Sequence, residues 1–197
     1  FCDRTYQPGE ILEIPVRYRH KHIADNGFYV GYGVVYTDNP PEGARKWLPC
    51  WDRPSDKALW ELKAKVPLSA RLGSNGYLAD SLITGDTIIY HWKTIHPVAT
   101  YLITFTSRIN YAIKQSYWHC QANPSDSIPV RLYYRPGEII TATDTALTAI
   151  TNFFASRFGD YPFEKIGFAT QNSTFPWGGM ENQSMVILQP NGFTDIQ

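Results

Sequence analysis

Ala58-Leu59-Trp60-Glu61-Leu62-Lys63-Ala64-Lys65-Val66 alternates residue by residue. Ala58, Trp60, Leu62, Ala64 and Val66 share one face, and Leu59, Glu61, Lys63 and Lys65 share the other. A period of two suits a pleated strand lying on a core, whereas a helix repeats its faces every ~3.6 residues and would scatter these apolar groups. Outward from this segment, Glu10 to Arg135 reads as strand after strand separated by short turns. The further candidates are Ile11–Tyr18, Phe28–Tyr36, Tyr77–Ile83, Thr87–Lys93, Tyr101–Ser107, Tyr111–His119 and Pro129–Tyr134. Thr84-Gly85-Asp86 reads as a tight hairpin connection, because Gly85 can take the positive φ such a turn requires.

After Arg135-Pro136-Gly137-Glu138 the period changes. Leu147, Ile150, Phe154 and Phe158 recur at helical spacing, with Ala146 and Phe153 widening the stripe. Thr143 is the expected N-cap, and Gly159 followed by Asp160-Tyr161-Pro162 ends the helix. Lys165–Gln171 and Ser184–Leu188 then read as two strands joined by an aromatic, glycine-containing loop, Asn172–Asn182. We therefore expect a mainly β chain with a β domain over residues 1–138 and the beginning of a second domain over residues 139–197. One helix and two strands are too little to close a core by themselves.

The 197 residues are 43% hydrophobic and 15% aromatic but only 18% charged, which excludes disorder and favours strands around large rings. Eighteen Lys and Arg balance eighteen Asp and Glu, so no long-range field recruits nucleic acid or anionic lipid. Apolar runs such as Met185 to Leu188 are far short of a membrane span. The first residue is Phe1 rather than Met, which suggests that the natural start lies upstream, and the compartment stays open between cytoplasm and export. Cys2, Cys50 and Cys120 form no C-x-x-C pair, and no His neighbours Cys50 in sequence, which argues against a thiol enzyme.

Two segments carry the possible chemistry. In Trp47-Leu48-Pro49-Cys50-Trp51-Asp52-Arg53-Pro54 the prolines fix the backbone and Asp52 can accept local amide hydrogen bonds, so packing is the expected role. In Phe175-Pro176-Trp177-Gly178-Gly179-Met180-Glu181-Asn182-Gln183-Ser184 two glycines let another backbone approach, and a carboxylate follows at once beside apolar Trp177 and Met180. Glu181 is suited to receive an ammonium group there. From spacing alone, a glycine turn followed by a solvated Glu is the favoured reading.

Gly178-Gly179-Met180-Glu181-Asn182 resembles the G-A-M-E-N exopeptidase signature of the aminopeptidase N family of zinc metallopeptidases, with Gly179 in place of the usual Ala. Other segments agree in order and spacing. Ala44-Arg45-Lys46-Trp47-Leu48-Pro49-Cys50-Trp51-Asp52-Arg53-Pro54 is similar to the family's A-R-x-x-F-P-C-x-D-x-P segment, Ser74-Asn75-Gly76 matches a short family signal, and Thr100-Tyr101-Leu102-Ile103-Thr104-Phe105 resembles its T-Y-L strand. Asp160-Tyr161-Pro162-Phe163-Glu164-Lys165 is similar to the segment between helix and strand.

The resemblance implies a saddle-like, antiparallel N-terminal β-sandwich followed by the start of a thermolysin-like α+β catalytic domain. It implies that Glu181 binds the free α-amino group of a peptide substrate, and that Gly178, Gly179, Met180 and Asn182 shape the pocket. A second amine-binding residue, usually Gln, precedes the A-R-x-x-F-P-C segment in the family, and Asp38 stands nearest to that position. The family's Zn2+ needs H-E-x-x-H on a helix, but His20, His22, His91, His96 and His119 include no pair at i, i+4. The zinc site and catalytic residues are therefore expected downstream, in the full-length protein, and these residues alone are expected to be inactive. The competing expectation is a non-catalytic β module that binds peptide or glycan.

Overall fold

The computed structural model describes residues 4–19, 27–140, 143–172 and 174–193. In chain order the strands are β1 (Phe28–Gly31), β2 (Val34–Thr37), β3 (Lys57–Ala58), β4 (Glu61–Pro67), β5 (Ala70–Ser74), β6 (Tyr77–Thr84) and β7 (Thr87–Lys93). There follow β8 (Val98–Ala99), β9 (Phe105–Ile109), β10 (Ala112–His119), β11 (Ser127–Tyr134), the helix α1 (Thr143–Phe158), β12 (Ile166–Thr170), β13 (Gly179–Met180) and β14 (Val186–Leu188). Three sheets are antiparallel: β1-β2-β9-β5, β4-β7-β6 and the short pair β3-β8.

The fourth sheet is mixed, in the order β10-β11-β12-β14-β13. β11 and β12 are parallel, with Val130 opposite Ile166, so the chain must cross over between them, and α1 makes the crossing. This sheet runs continuously across residue 138. Leu147 and Ala155 of α1 pack with Trp118, Val130, Leu132, Ile166 and Phe193, while Phe153, Phe154 and Phe158 stay exposed. The helix ends as expected: Gly159 has φ +91° and its N–H donates to the Ala155 carbonyl at 3.0 Å.

The principal core joins several sheets. Tyr36 of β2, Leu72 of β5, Trp92 of β7, Tyr133 of β11 and Ile187 of β14 are all fully buried in one cluster with Met185. Leu62, Ala64 and Val66 pack against it from β4, on the face that alternation assigned to the core. The turn between β6 and β7 is the expected two-residue hairpin, with Gly85 at φ +60° and Thr84 opposite Thr87.

Several expectations need correction. Ile11–Tyr18 forms no strand: Ile11 is 91% exposed, and alternation cannot make a strand without a neighbour to pair with. Phe28–Tyr36 is two strands, folded at Tyr32 and Gly33, both at positive φ (53° and 73°), a hairpin geometry in which Tyr32 occupies the left-handed region without being glycine. The alternating segment is interrupted at Leu59 and Trp60, because the Trp60 N–H turns to Thr94 Oγ1 at 2.9 Å instead of a ladder partner. Thr100–Leu102 is a single 3-10 turn, so the strand expected from Tyr101 begins at Phe105. The loop Asn172–Asn182 contains a short strand, β13, that its two glycines concealed.

Candidate functional site

Phe175 anchors the approach to the glycine motif, buried edge-on against the Tyr36 ring at 6.1 Å. Beyond it Trp177 is half exposed, and its Nε1–H donates to Asp38 Oδ2 at 2.8 Å. The chain then enters β13, antiparallel to β14, with Gly179 opposite Leu188 and Met180 opposite Ile187. The Gln189 N–H donates to the Gly178 carbonyl at 3.0 Å, which extends the pairing by one step. β13 is the outermost strand of its sheet, so one of its edges faces away from the ladder. Gly178 has open space where a side chain would stand, and a Cβ on Gly179 would make ordinary contact with Leu188 Cδ2 at 3.4 Å and the Ile187 carbonyl oxygen at 3.5 Å.

Glu181 follows directly. Its side chain is exposed and makes no hydrogen bond or ion pair among the described residues. Its neighbours differ: Met180 and Asn182 are buried, and Asn182 Nδ2 lies 3.4 Å from the Met180 carbonyl it donates to. The Met185 N–H donates back to the Asn182 carbonyl at 3.0 Å, closing a turn that brings the chain into β14. Glu181 therefore sits between β13 and the Asn182–Met185 turn, with its side chain exposed.

Asp38, immediately after β2, is 6% exposed. Burial raises its carboxyl above the ordinary aspartate range, and the Trp177 hydrogen bond opposes that rise. Oδ2 is engaged by Trp177, whereas Oδ1 is buried without a partner among the described residues. An acceptor left in that state is costly, and a cationic donor would satisfy it. The structure thus brings Asp38 to the residue just before Gly178, across 139 positions of sequence.

Sequence reasoning assigned no role to three residues that hold this turn. Asn75, fully buried, donates from Nδ2 to the Leu102 carbonyl at 2.9 Å and to the Gln183 carbonyl at 2.6 Å, and accepts from the Thr104 N–H at 2.6 Å. The Gly76 N–H donates to Ser184 Oγ at 2.7 Å. Lys165 Nζ donates to the Ser184 carbonyl and lies 5.4 Å from the Trp92 ring centroid. Burial, aided by Arg131 and opposed by Glu164, lowers the Lys165 amine from 10.5 to about 7. Ser74-Asn75-Gly76 stood out in the sequence, but no local signal tied it to a turn more than a hundred residues later.

The other segment is a packing element, as expected. Asp52 is buried and accepts from the Arg45 backbone N–H at 3.1 Å and from Arg45 Nε at 3.3 Å, and Trp47 Nε1 donates to Asn39 Oδ1 at 2.8 Å. Burial and the Asp52 carboxylate push the Cys50 thiol up, away from thiolate chemistry.

The described histidines have ordinary partners. His91 lies between Glu61 (2.6 Å) and Asp80 (3.4 Å), His96 packs edge-on against Phe163, and His119 Nδ1 is 3.1 Å from the Pro124 carbonyl. Cys2, His20 and His22 lie outside the described residues. No group of three His, Cys, Asp or Glu among the described residues stands close enough to hold a metal ion. A groove of about 520 Å³ runs along α1, lined by Ile150, Phe154, Phe158 and Tyr161, away from the glycine motif.

The chain is mainly β, and its mixed sheet ends in the short edge strand β13. Its likeness to solved structures supports that fold. The M1 zinc metallopeptidase from Deinococcus radiodurans superposes with a TM-score of 0.72 at 21% identity, over 85% of this chain and 38% of that one. Legionella pneumophila aminopeptidase A, solved in complex with aspartic acid, gives a TM-score of 0.71 at 19% identity, over 82% of this chain and 19% of that one.

Residues 22–102 match the Peptidase M1 N-terminal domain. Aminopeptidase M1-A of Oryza sativa is 26% identical over 159 residues, which is 79% of this chain and 17% of that protein. The probable aminopeptidase 1 of Sulfurisphaera tokodaii is 31% identical over 99 residues, 46% of this chain and 12% of that protein. Over most of its length the chain is thus similar to aminopeptidases of the M1 group, and the matched family model is that group's N-terminal domain. The chain spans less than a fifth of the length of these curated relatives. No helix among the described residues is long and apolar enough to cross a membrane.

Proposed function

We propose that these residues belong to a zinc-dependent aminopeptidase that removes single residues from the free N-terminus of peptides, and that Glu181 receives the substrate's α-ammonium. The observation that carries this reading is the Trp177–Asp38 hydrogen bond at 2.8 Å, which draws a second, buried carboxylate to the motif segment. Glu181 offers an exposed charge, and Asp38 offers a buried oxygen that still lacks a donor. An ammonium carries three donors and can engage both. Gly178 and Gly179 leave β13 open to pair with the substrate backbone, Met180 supports the turn from the core, and Asn182 braces it.

When bound, zinc supplies a polarised carbonyl and an activated water, and its ligands belong to residues beyond these. The binding groups described above hold the amino terminus so that the first peptide bond, and no later one, reaches that centre. We keep the division into an N-terminal β domain, 1–138, and the start of a catalytic domain, 139–197, as part of this reading, with the mixed sheet shared between them. On this reading residues 1–197 alone bind a peptide terminus but do not cleave it.

The test assays the protein at its full natural length, with zinc, on aminoacyl-anilides and on N-blocked peptides. Glu181→Ala should cost about a hundredfold or more in kcat/KM on free-amine substrates, since a charge partner is lost. Asp38→Asn should cost less, mainly through KM. Equal activity of the wild type on blocked and free substrates, or an unchanged kcat/KM on free-amine substrates after Glu181→Ala, would refute the assignment.

A further inference from the structure

The exposed Glu181 carboxylate has no side-chain partner to aim it, so its position is set by its backbone alone. That backbone is held from two directions. From the turn between β5 and β6, Asn75 Nδ2 reaches the Gln183 carbonyl at 2.6 Å and the Gly76 N–H reaches Ser184 Oγ at 2.7 Å. From the start of β12, Lys165 Nζ reaches the Ser184 carbonyl. Ser184 itself is in the left-handed region, with φ 58°, a conformation that a serine keeps only when its surroundings impose it.

The packing makes room for this clamp. A Cβ on Gly167 would stand 2.6 Å from the Ser184 carbonyl oxygen and 2.7 Å from Lys165 Nζ, so only glycine lets β12 approach the turn so closely. A Cβ on Gly76 would stand 1.9 Å from the Lys93 carbonyl oxygen. A glycine of the β5–β6 turn, a glycine of β12, a buried amide and a buried amine thus converge on two consecutive peptide units. A buried lysine is an expensive way to fill space beside Trp92 and Met185, and a methionine of similar length would do so at lower cost.

We infer that Asn75, Gly76 and Lys165 are positioning residues for Glu181: they clamp the Gln183–Ser184 backbone and thereby fix where the carboxylate meets the substrate amine. This rests on the proposed role of Glu181. The clamp couples the antiparallel β region to the amine site, so the site is aimed by residues that never touch substrate. A carboxylate displaced by about 1 Å loses much of its selectivity for a bound ammonium.

The experiment uses the full-length, zinc-loaded protein and measures discrimination, the ratio of kcat/KM for a free-amine peptide to that for its N-acetylated form. Lys165→Met removes the donor but keeps the apolar contacts, and Ser184→Ala removes only the acceptor for Gly76; Glu181→Gln runs in parallel. We expect thermal midpoints of the first two variants within a few degrees of wild type, with discrimination reduced about tenfold or more through a raised KM for free amines. Collapse of discrimination in Glu181→Gln together with unchanged discrimination in both other variants would overturn the clamp and leave the role of Glu181 standing. Unchanged discrimination in Glu181→Gln would overturn both. Should Lys165→Met fail to fold, Ser184→Ala decides.

Discussion

Raising the pH from about 6 to about 9 should strengthen the fold through Lys165. The amine is fully buried between Trp92, Met185 and the Ser184 carbonyl, and it titrates near 7 in the folded chain against 10.5 when exposed. In that window the unfolded chain binds the proton and the folded chain releases it, so stability rises with pH. Burial is the main cause of the depression, Arg131 adds to it, and Glu164 opposes it. At a limiting slope of about 1.4 kcal/mol per pH unit, the gain between about pH 6 and 9 comes to roughly 2–3 kcal/mol. Urea unfolding of wild type and Lys165→Met at intervals across that range isolates the effect, because every other titrating group cancels in the difference. Wild type should be the weaker protein at the acid end and draw level or better at the alkaline end. A difference that stays constant within about 0.5 kcal/mol would show that Lys165 is not held as the structure places it.

Two glycines give opposite expectations. Gly76→Ala should destabilise by about 3 kcal/mol or more, because φ is +76° and the new Cβ would stand 1.9 Å from the Lys93 carbonyl oxygen; thermal unfolding reads the loss. Gly179→Ala should be tolerated and should stabilise by about 0.5 kcal/mol, since the methyl meets Leu188 Cδ2 at 3.4 Å and the Ile187 carbonyl oxygen at 3.5 Å, both ordinary contacts, and Ala restricts the unfolded chain more than Gly does. A lowered denaturation midpoint for Gly179→Ala would contradict the geometry of β13.

Much of this was legible in the chain itself. Alternation placed β4 and β7, turn chemistry placed the hairpin at Gly85, and the change of period after residue 138 placed α1 and its terminal glycine. Period and turn signals are local, so a single chain carries them in full. They failed where a local pattern lacked its partner, as at Ile11–Tyr18, or where two glycines disguised an edge strand, as at β13. The motif Gly178-Gly179-Met180-Glu181-Asn182 was visible for the same local reason, and Asp38 was reachable only through its place before the A-R-x-x-F-P-C-like segment.

What residues 178–182 could do was written in their types: flexible backbone, one acid, one buried amide. Where that acid stands was not, because its address is set by Asn75, Gly76 and Lys165, which lie 16 to more than 100 positions away, and its companion Asp38 arrives on the Trp177 indole. Local propensities act between neighbours and can be read in order. Hydrogen bonds made by buried donors join whatever the packing brings together, and only the folded chain decides which partners those are.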